Sequence, residues 1–112
     1  MIQTQSILSE FIAIGVVNPS DALTPQQGLN AQVLVEGPFE NESESRRKIR
    51  TALAKLDHKT VGRDIKIDGK PNASLPEITE WLFEELLAVL PETIALTMKF
   101  GNNLTCEIRR GE

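Results

Sequence analysis

The residues best suited to proton transfer are Asp57 and His58, which are neighbours in the chain, and His58 is its single histidine. A carboxylate beside an imidazole can hold the ring in one tautomer and make it a general base. A structural role is the alternative, because a helix C-terminus favours a protonated imidazole and an aspartate there can fix the following loop. The residues alone leave both interpretations open.

The other reactive side chains do not complete a site around this pair. A catalytic zinc ion needs three protein ligands, usually imidazole, thiolate or carboxylate groups. His58, Cys106 and the carboxylates stand at no recognisable ligand spacing. Cys106, the single cysteine, alternates with Leu104 and Ile108 as a buried apolar residue would. No phosphate-binding loop or Ser-His-Asp order is present. We therefore expect no metal and no other cofactor.

Two helices are predicted, and the Asp-His pair lies at the end of the first, which covers residues 43–58. Its apolar residues recur with helical spacing at Ile49, Ala52, Leu53 and Leu56. Asn41 or Ser43 can cap its start, and Asn41 with Glu44 three residues later predicts a capping box. The second helix covers residues 74–90 and begins with another capping box, Ser74-Leu75-Pro76-Glu77.

Alternation of apolar and polar residues predicts strands on both sides of the helices. The strands cover residues 3–17, 29–36, 93–100 and 104–109. The first is apolar on both sides, and such a strand is usually covered on both faces. The element order is strand, strand, helix, helix, strand, strand. It predicts an α+β fold in which both helices lie on one face of a four-stranded antiparallel sheet.

Composition limits the classes of partner. The chain of 112 residues is long enough for one domain, residues 1–112, with a modest core. Its net charge of −4 argues against nucleic acid or an anionic membrane as partner. No apolar run approaches the ~20 residues of a membrane-spanning helix. The N-terminus lacks the basic region of a signal peptide, so we expect a cytoplasmic protein.

The order of several motifs resembles a known family. A strand, Val33–Gly37, runs into a turn at Pro38, and Leu56-Asp57-His58-Lys59 closes the first helix. Pro71-Asn72-Ala73-Ser74 then opens a helix, and a last strand ends at residues 109–112. This order resembles the 6-pyruvoyl-tetrahydropterin synthase and 6-carboxytetrahydropterin synthase family, most clearly over residues 29–112. The resemblance implies the tunnelling fold, in which sheets of several subunits join edge to edge into a barrel.

The same resemblance shows which catalytic positions have changed. In the family, three histidines hold zinc; their positions here fall on Gly15 and on Gln27-Gly28-Leu29. The family's catalytic cysteine falls on or near Leu23. The resemblance therefore implies that this chain keeps the family's scaffold without its zinc ligands or its cysteine.

Three further family positions bear on ligand binding. Asp57 and His58 match the family's Asp-His pair, which makes them the candidate catalytic residues. The glutamate that anchors the pterin ring falls on Lys99 or Gly101, neither of which can accept hydrogen bonds through a side chain. A hydroxyl survives at Ser74, which is a candidate substrate contact, although a helix cap is the alternative role.

Two functions follow from this pattern as expectations. The first is a degenerate family member that acts as a non-catalytic binding or scaffold subunit. It forms either a homo-oligomer by pairing of sheet edges or a hetero-oligomer with a related, complete pterin synthase subunit. The alternative is a metal-independent enzyme that binds a pterin or purine-like ring and uses the Asp57-His58 pair as its base.

Overall fold

The computed structural model describes residues 4–16, 29–69, 73–100 and 104–111. Their helices and strands, in chain order, are β1 (Ser6–Val16), β2 (Leu29–Gly37), α1 (Glu42–Leu53), β3 (Lys59–Val61), α2 (Leu75–Val89), β4 (Ala95–Phe100) and β5 (Leu104–Arg109). The α+β class and the four long strands are confirmed. The predicted hairpin turn at residues 101–103 lies outside the described residues.

The sheet has five strands in the order β3-β1-β2-β4-β5. The pairs β1–β2, β2–β4 and β4–β5 are antiparallel, whereas β3 runs parallel to β1. The prediction of a four-stranded, wholly antiparallel sheet was therefore wrong in the strand number and at one pair. The added strand has three residues, too few to show an alternation in the sequence.

Both helices lie on one face of this sheet, as predicted. Residues paired across neighbouring strands share a face, and the pairs Leu8–Val35 and Val35–Leu96 are all buried. Most of this face is also apolar and buried, and its buried residues include Ile12, Ile14, Ala31, Val33, Met98 and Phe100. Ile49 of α1 and Leu82 of α2 pack into the same core cluster. The core is thus a single layer between the sheet and the helices.

The first helix ends at Leu53, well before the predicted end at residue 58. Beyond it a tighter turn begins, in which the Leu56 N–H donates to the carbonyl of Leu53, three residues earlier, at 2.9 Å. His58 then adopts a positive φ of 61°, in the left-handed region that terminates a helix. Leu56 remains fully buried in this turn, so it extends the apolar stripe past the helix itself.

The second helix matches its prediction, because strong local signals mark its start. Ser74 and Glu77 form the predicted capping box. At the first helix only half of the predicted box forms: Asn41 Oδ1 accepts from the Glu44 N–H at 3.0 Å, while the Glu44 carboxylate bonds Arg47. Among the described residues, no helix is both long and apolar enough to span a membrane.

The second face of the sheet, which we call the open face, carries no helix. Ile7 and Phe11 of β1 point to it and are 61% and 71% exposed. We expected the first strand to be covered on both faces. Within one chain it is covered on the helix side, and its open face is exposed. A cover for the open face of β1 would have to come from outside the described residues.

Candidate functional site

The Asp57-His58 turn is bonded to the backbone of β1. The Ala13 N–H donates to Asp57 Oδ1 at 2.9 Å, and the His58 N–H donates to the Ala13 carbonyl at 2.7 Å. The turn thus provides a hydrogen-bond partner for both the N–H and the carbonyl of Ala13 at this edge of the sheet. The chain leaves the turn directly into β3, whose Lys59 pairs with Ile14. The turn therefore sets the parallel course of β3.

The imidazole of His58 lies outside the protein core. Its Nδ1 is 3.0 Å from Asp57 Oδ1, the same oxygen that accepts from Ala13, and the side chain is 82% exposed. The positive φ of His58 suits this turn, because histidine tolerates the left-handed region better than most residues. The predicted Asp-His contact forms, with the carboxylate shared between the ring and the backbone of β1.

Ser74 is the N-cap of α2, and its hydroxyl is used within the cap. Ser74 Oγ accepts from the Glu77 N–H at 3.4 Å and donates to Glu77 Oε1 at 3.2 Å. The Ser74 N–H also donates to Glu77 Oε1, at 3.2 Å. Among the described residues, no hydrogen bond or ion pair joins Ser74 to Asp57 or His58. The cap role is confirmed, and a substrate contact stays a prediction.

The remaining family positions are dispersed or lie outside the described residues. Gly15 lies in β1 beside Thr60 of β3 and offers no donor side chain. Lys99 is exposed on the open face of β4. Leu23, Gln27, Gly28 and Gly101 fall outside the residues that the structure describes.

A zinc ion does not fit the side chains that the structure places. Over residues 4–16, 29–69, 73–100 and 104–111, no three His, Cys, Asp or Glu side chains converge as metal ligands. Cys106 packs against the core on the helix side of β5, as the alternation predicted, but it is half-buried and not buried.

A charged cluster that the sequence did not reveal joins β1 to α1. Glu10 lies on the helix side of the sheet and bonds both Arg46 and Arg50, the latter at 3.0 Å. Partial burial raises the pKa of Glu10, but the hydrogen bonds from Arg50 and Arg46 outweigh burial and leave it below its ordinary value. Arg46 Nη1 also donates to the Ser9 carbonyl at 3.0 Å. The cluster thus fixes α1 against the edge of β1.

A shallow groove of about 300 Å³ also lies on the open face. Its lining is Ile7, Leu34, Glu36, Ala95, Thr97, Lys99, Glu107 and Arg109. Arg109 spans it, bonding Glu36 at 3.2 Å and Glu107 at 3.4 Å. Alternation placed the lining residues of β2, β4 and β5 on the polar side of their strands, but the sequence carried no signal that joined them and Ile7 into a groove.

The described residues thus form an α+β fold, with two helices on one face of a five-stranded mixed sheet. No protein-family model and no curated protein sequence matches the chain. Twelve chains of solved structures match it, among them Caenorhabditis elegans 6-pyruvoyl tetrahydropterin synthase. That match has a TM-score of 0.72 and 13% sequence identity, and it covers 98% of this chain and 96% of the synthase chain. The chain therefore has the fold of this synthase, which confirms the structural resemblance.

Proposed function

We propose that this chain is a cytoplasmic, non-catalytic protein that keeps the pterin synthase fold as a scaffold or binding subunit. The observation that carries the proposal is the bond from the Ala13 N–H to Asp57 Oδ1. This bond holds the edge of β1, so Asp57 has a structural role that requires no catalysis.

The changed residues support the same proposal. Glycine stands at one zinc position of the resembled family, and Gln27 and Leu29 at the others. The positions of its cysteine and its pterin-binding glutamate are also changed, to Leu23 and to Lys99 or Gly101. Loss of one member of a cooperating catalytic set already costs roughly 10⁴- to 10⁶-fold in rate. With five positions changed and only the Asp57-His58 pair kept, we expect no detectable family reaction.

The open sheet supports assembly as part of this function. Ile7 and Phe11 expose apolar surface on the open face, which is typical of a surface that another chain covers. Within the described residues, the outer strand β5 has no neighbour on one side, and an unpaired strand edge is a template for pairing with another chain. We propose a homo-oligomer, or a mixed oligomer with a related pterin synthase subunit, joined at sheet edges.

The alternative function is a metal-independent enzyme that acts on a pterin or purine-like ring. One observation favours it: Asp57 Oδ1 lies 3.0 Å from Nδ1 of an imidazole that is 82% exposed. A carboxylate at that distance can fix the tautomer and leave the outer nitrogen to accept a proton. Ser74 would then be the candidate ring contact.

The two functions are distinguished by binding and turnover. Purified protein is titrated with a panel of pterins and purines and incubated with dihydroneopterin triphosphate, with and without added zinc. The scaffold function predicts no turnover under either condition, and ring binding without turnover would define a carrier.

The matched variant for this experiment is His58→Asn, because asparagine tolerates the positive φ of residue 58 but has no titratable ring. Turnover that His58→Asn abolishes, in a variant with an unchanged unfolding midpoint, would overturn the non-catalytic proposal.

A further inference from the structure

We propose that the open face of the sheet is covered by the open face of a second copy of the chain, with a two-fold axis that crosses the strands at Ser9, Leu34 and Thr97. The two sheets would pack face to face, and the helices of both copies would lie on the outside. This contact involves the face of the sheet and needs no paired edge, so it goes beyond the proposed function.

The open-face residues of β1, β2, β4 and β5 lie in three rows that cross the sheet, because strand pairing sets them side by side. The first row is Ile7, Glu36, Ala95 and Arg109, the middle row is Ser9, Leu34, Thr97 and Glu107, and the third row is Phe11, Gln32, Lys99 and Thr105. A two-fold axis along the middle row would place the first row of each copy over the third row of the other.

The apolar residues of β1 favour this axis. Ile7 and Phe11 are 61% and 71% exposed, and they lie two residues to either side of Ser9. An axis at Ser9 brings Ile7 of each copy opposite Phe11 of the other, so all four side chains are removed from water. An axis at Ile7 would leave Phe11 opposite a position before Ser6, where β1 begins. An axis at Phe11 would set Ile7 against Gly15, which has no side chain.

The charges in the groove are unmatched within one chain. Glu36 and Glu107 share a single guanidinium, that of Arg109, at 3.2 and 3.4 Å. The part of the groove around Ala95 therefore carries an excess of negative charge. Lys99 lies in the third row and is exposed, and among the described residues it forms no ion pair.

The same two-fold axis brings the unmatched charges together. Ala95 and Lys99 lie two residues to either side of Thr97 in β4, so the partner's Lys99 would lie over Ala95, twice in the dimer. The small side chain of Ala95 leaves room for the lysine beside Glu36. Glu107 of each copy also approaches its counterpart at the axis, but it is bonded by Arg109 and flanked by the partner's Lys99. The charges thus select the axis that the apolar residues select independently.

Crosslinking at the axis tests this arrangement. In a Cys106→Ser background, Ser9→Cys gives each copy one thiol, and the two thiols would face each other. Stacked sheets lie about 10 Å apart, which is too far for a disulfide. We therefore expect a short bismaleimide to give a covalent dimer. The matched control is Thr51→Cys in the same background, on an exposed turn of α1 behind the sheet. No crosslinking at position 9, or equal crosslinking at position 51, would overturn the arrangement.

Two surface variants test the contact without touching the core. Phe11→Ser removes apolar burial and should weaken the contact roughly tenfold or more. Lys99→Glu places a carboxylate over the negative part of the groove and should weaken it at least as much. Arg47→Glu makes the same charge change on α1, where Arg47 is 66% exposed, and should leave the contact unchanged.

Sedimentation at micromolar concentration measures these effects. Unaltered protein and Arg47→Glu should contain an even number of 12.4-kDa chains, whereas Phe11→Ser and Lys99→Glu should fall toward half that mass. A monomer of the unaltered protein would overturn this inference and the proposed assembly together. An odd number of chains, or an oligomer that either variant leaves intact, would overturn this inference alone.

Discussion

Asp57 and Ala13 are 44 residues apart in the chain, and a hydrogen bond of 2.9 Å joins the Ala13 N–H to the Asp57 carboxylate. Asp57 belongs to a motif that resembles a catalytic pair, and through this bond it connects the turn after α1 to the edge of β1. The adjacent His58 N–H completes it by bonding the Ala13 carbonyl at 2.7 Å.

Removing this carboxylate should destabilise the fold. Asp57→Ala leaves the Ala13 N–H without its acceptor, so we expect a loss of about 1–3 kcal/mol in the free energy of unfolding. Asp57→Asn keeps an acceptor oxygen and should lose less. Urea unfolding of both variants measures the difference. Equal stability of Asp57→Ala and unaltered protein would contradict a structural role for Asp57.

The Glu10 cluster predicts a pH dependence of stability. The folded pKa of Glu10 lies below its ordinary value of 4.5, so the ionised form is favoured in the folded state. The resulting stability is present above pH 4.5 and is lost as the pH falls through the folded pKa. Unfolding free energies from about pH 7 to about pH 2 should show this loss in unaltered protein. The loss should be smaller in Glu10→Gln, and identical pH profiles would exclude the cluster as its source.

Variants of Ser74 distinguish its role as a helix cap from a role as a ligand contact. Ser74→Ala removes the acceptor for the Glu77 N–H and should cost about 1 kcal/mol of stability. Ser74→Asp keeps a capping oxygen and should retain most of it. Thermal unfolding compares the two. If ring binding were detected and fell in Ser74→Asp while stability did not, Ser74 would be a ligand contact.

The changed zinc positions predict that purified protein holds no stoichiometric zinc. Gly15 has no side-chain donor, and the described residues bring no set of metal ligands together. Elemental analysis after dialysis without chelator checks this. One zinc per chain that survives His58→Ala would show a ligand set that does not include the chain's single histidine.

Local signals in the sequence were sufficient for much of the fold. Ser74 and Glu77 lie within one helical turn of each other, so their capping box could be predicted and forms. Alternation placed Val33, Val35 and Leu96 in the core because each strand obeys a two-residue period. These features depend on neighbours in the chain.

Contacts between distant residues could not be predicted in this way. The Asp57–Ala13 bond, the Glu10–Arg46 pair and strand β3 all join segments brought together only by the fold. The Asp-His motif was visible, but whether its carboxylate faces a substrate or the backbone depends on Ala13. The sequence therefore left that choice open, and the structure supplies the backbone contact.

The proposal that the fold is retained without catalysis is tested most directly by the rate at which the purified protein converts dihydroneopterin triphosphate in the presence of zinc. The account predicts a rate equal to that of buffer with zinc, and equal rates for unaltered protein and His58→Asn. A rate above this background that His58→Asn removes, with stability unchanged, would contradict it.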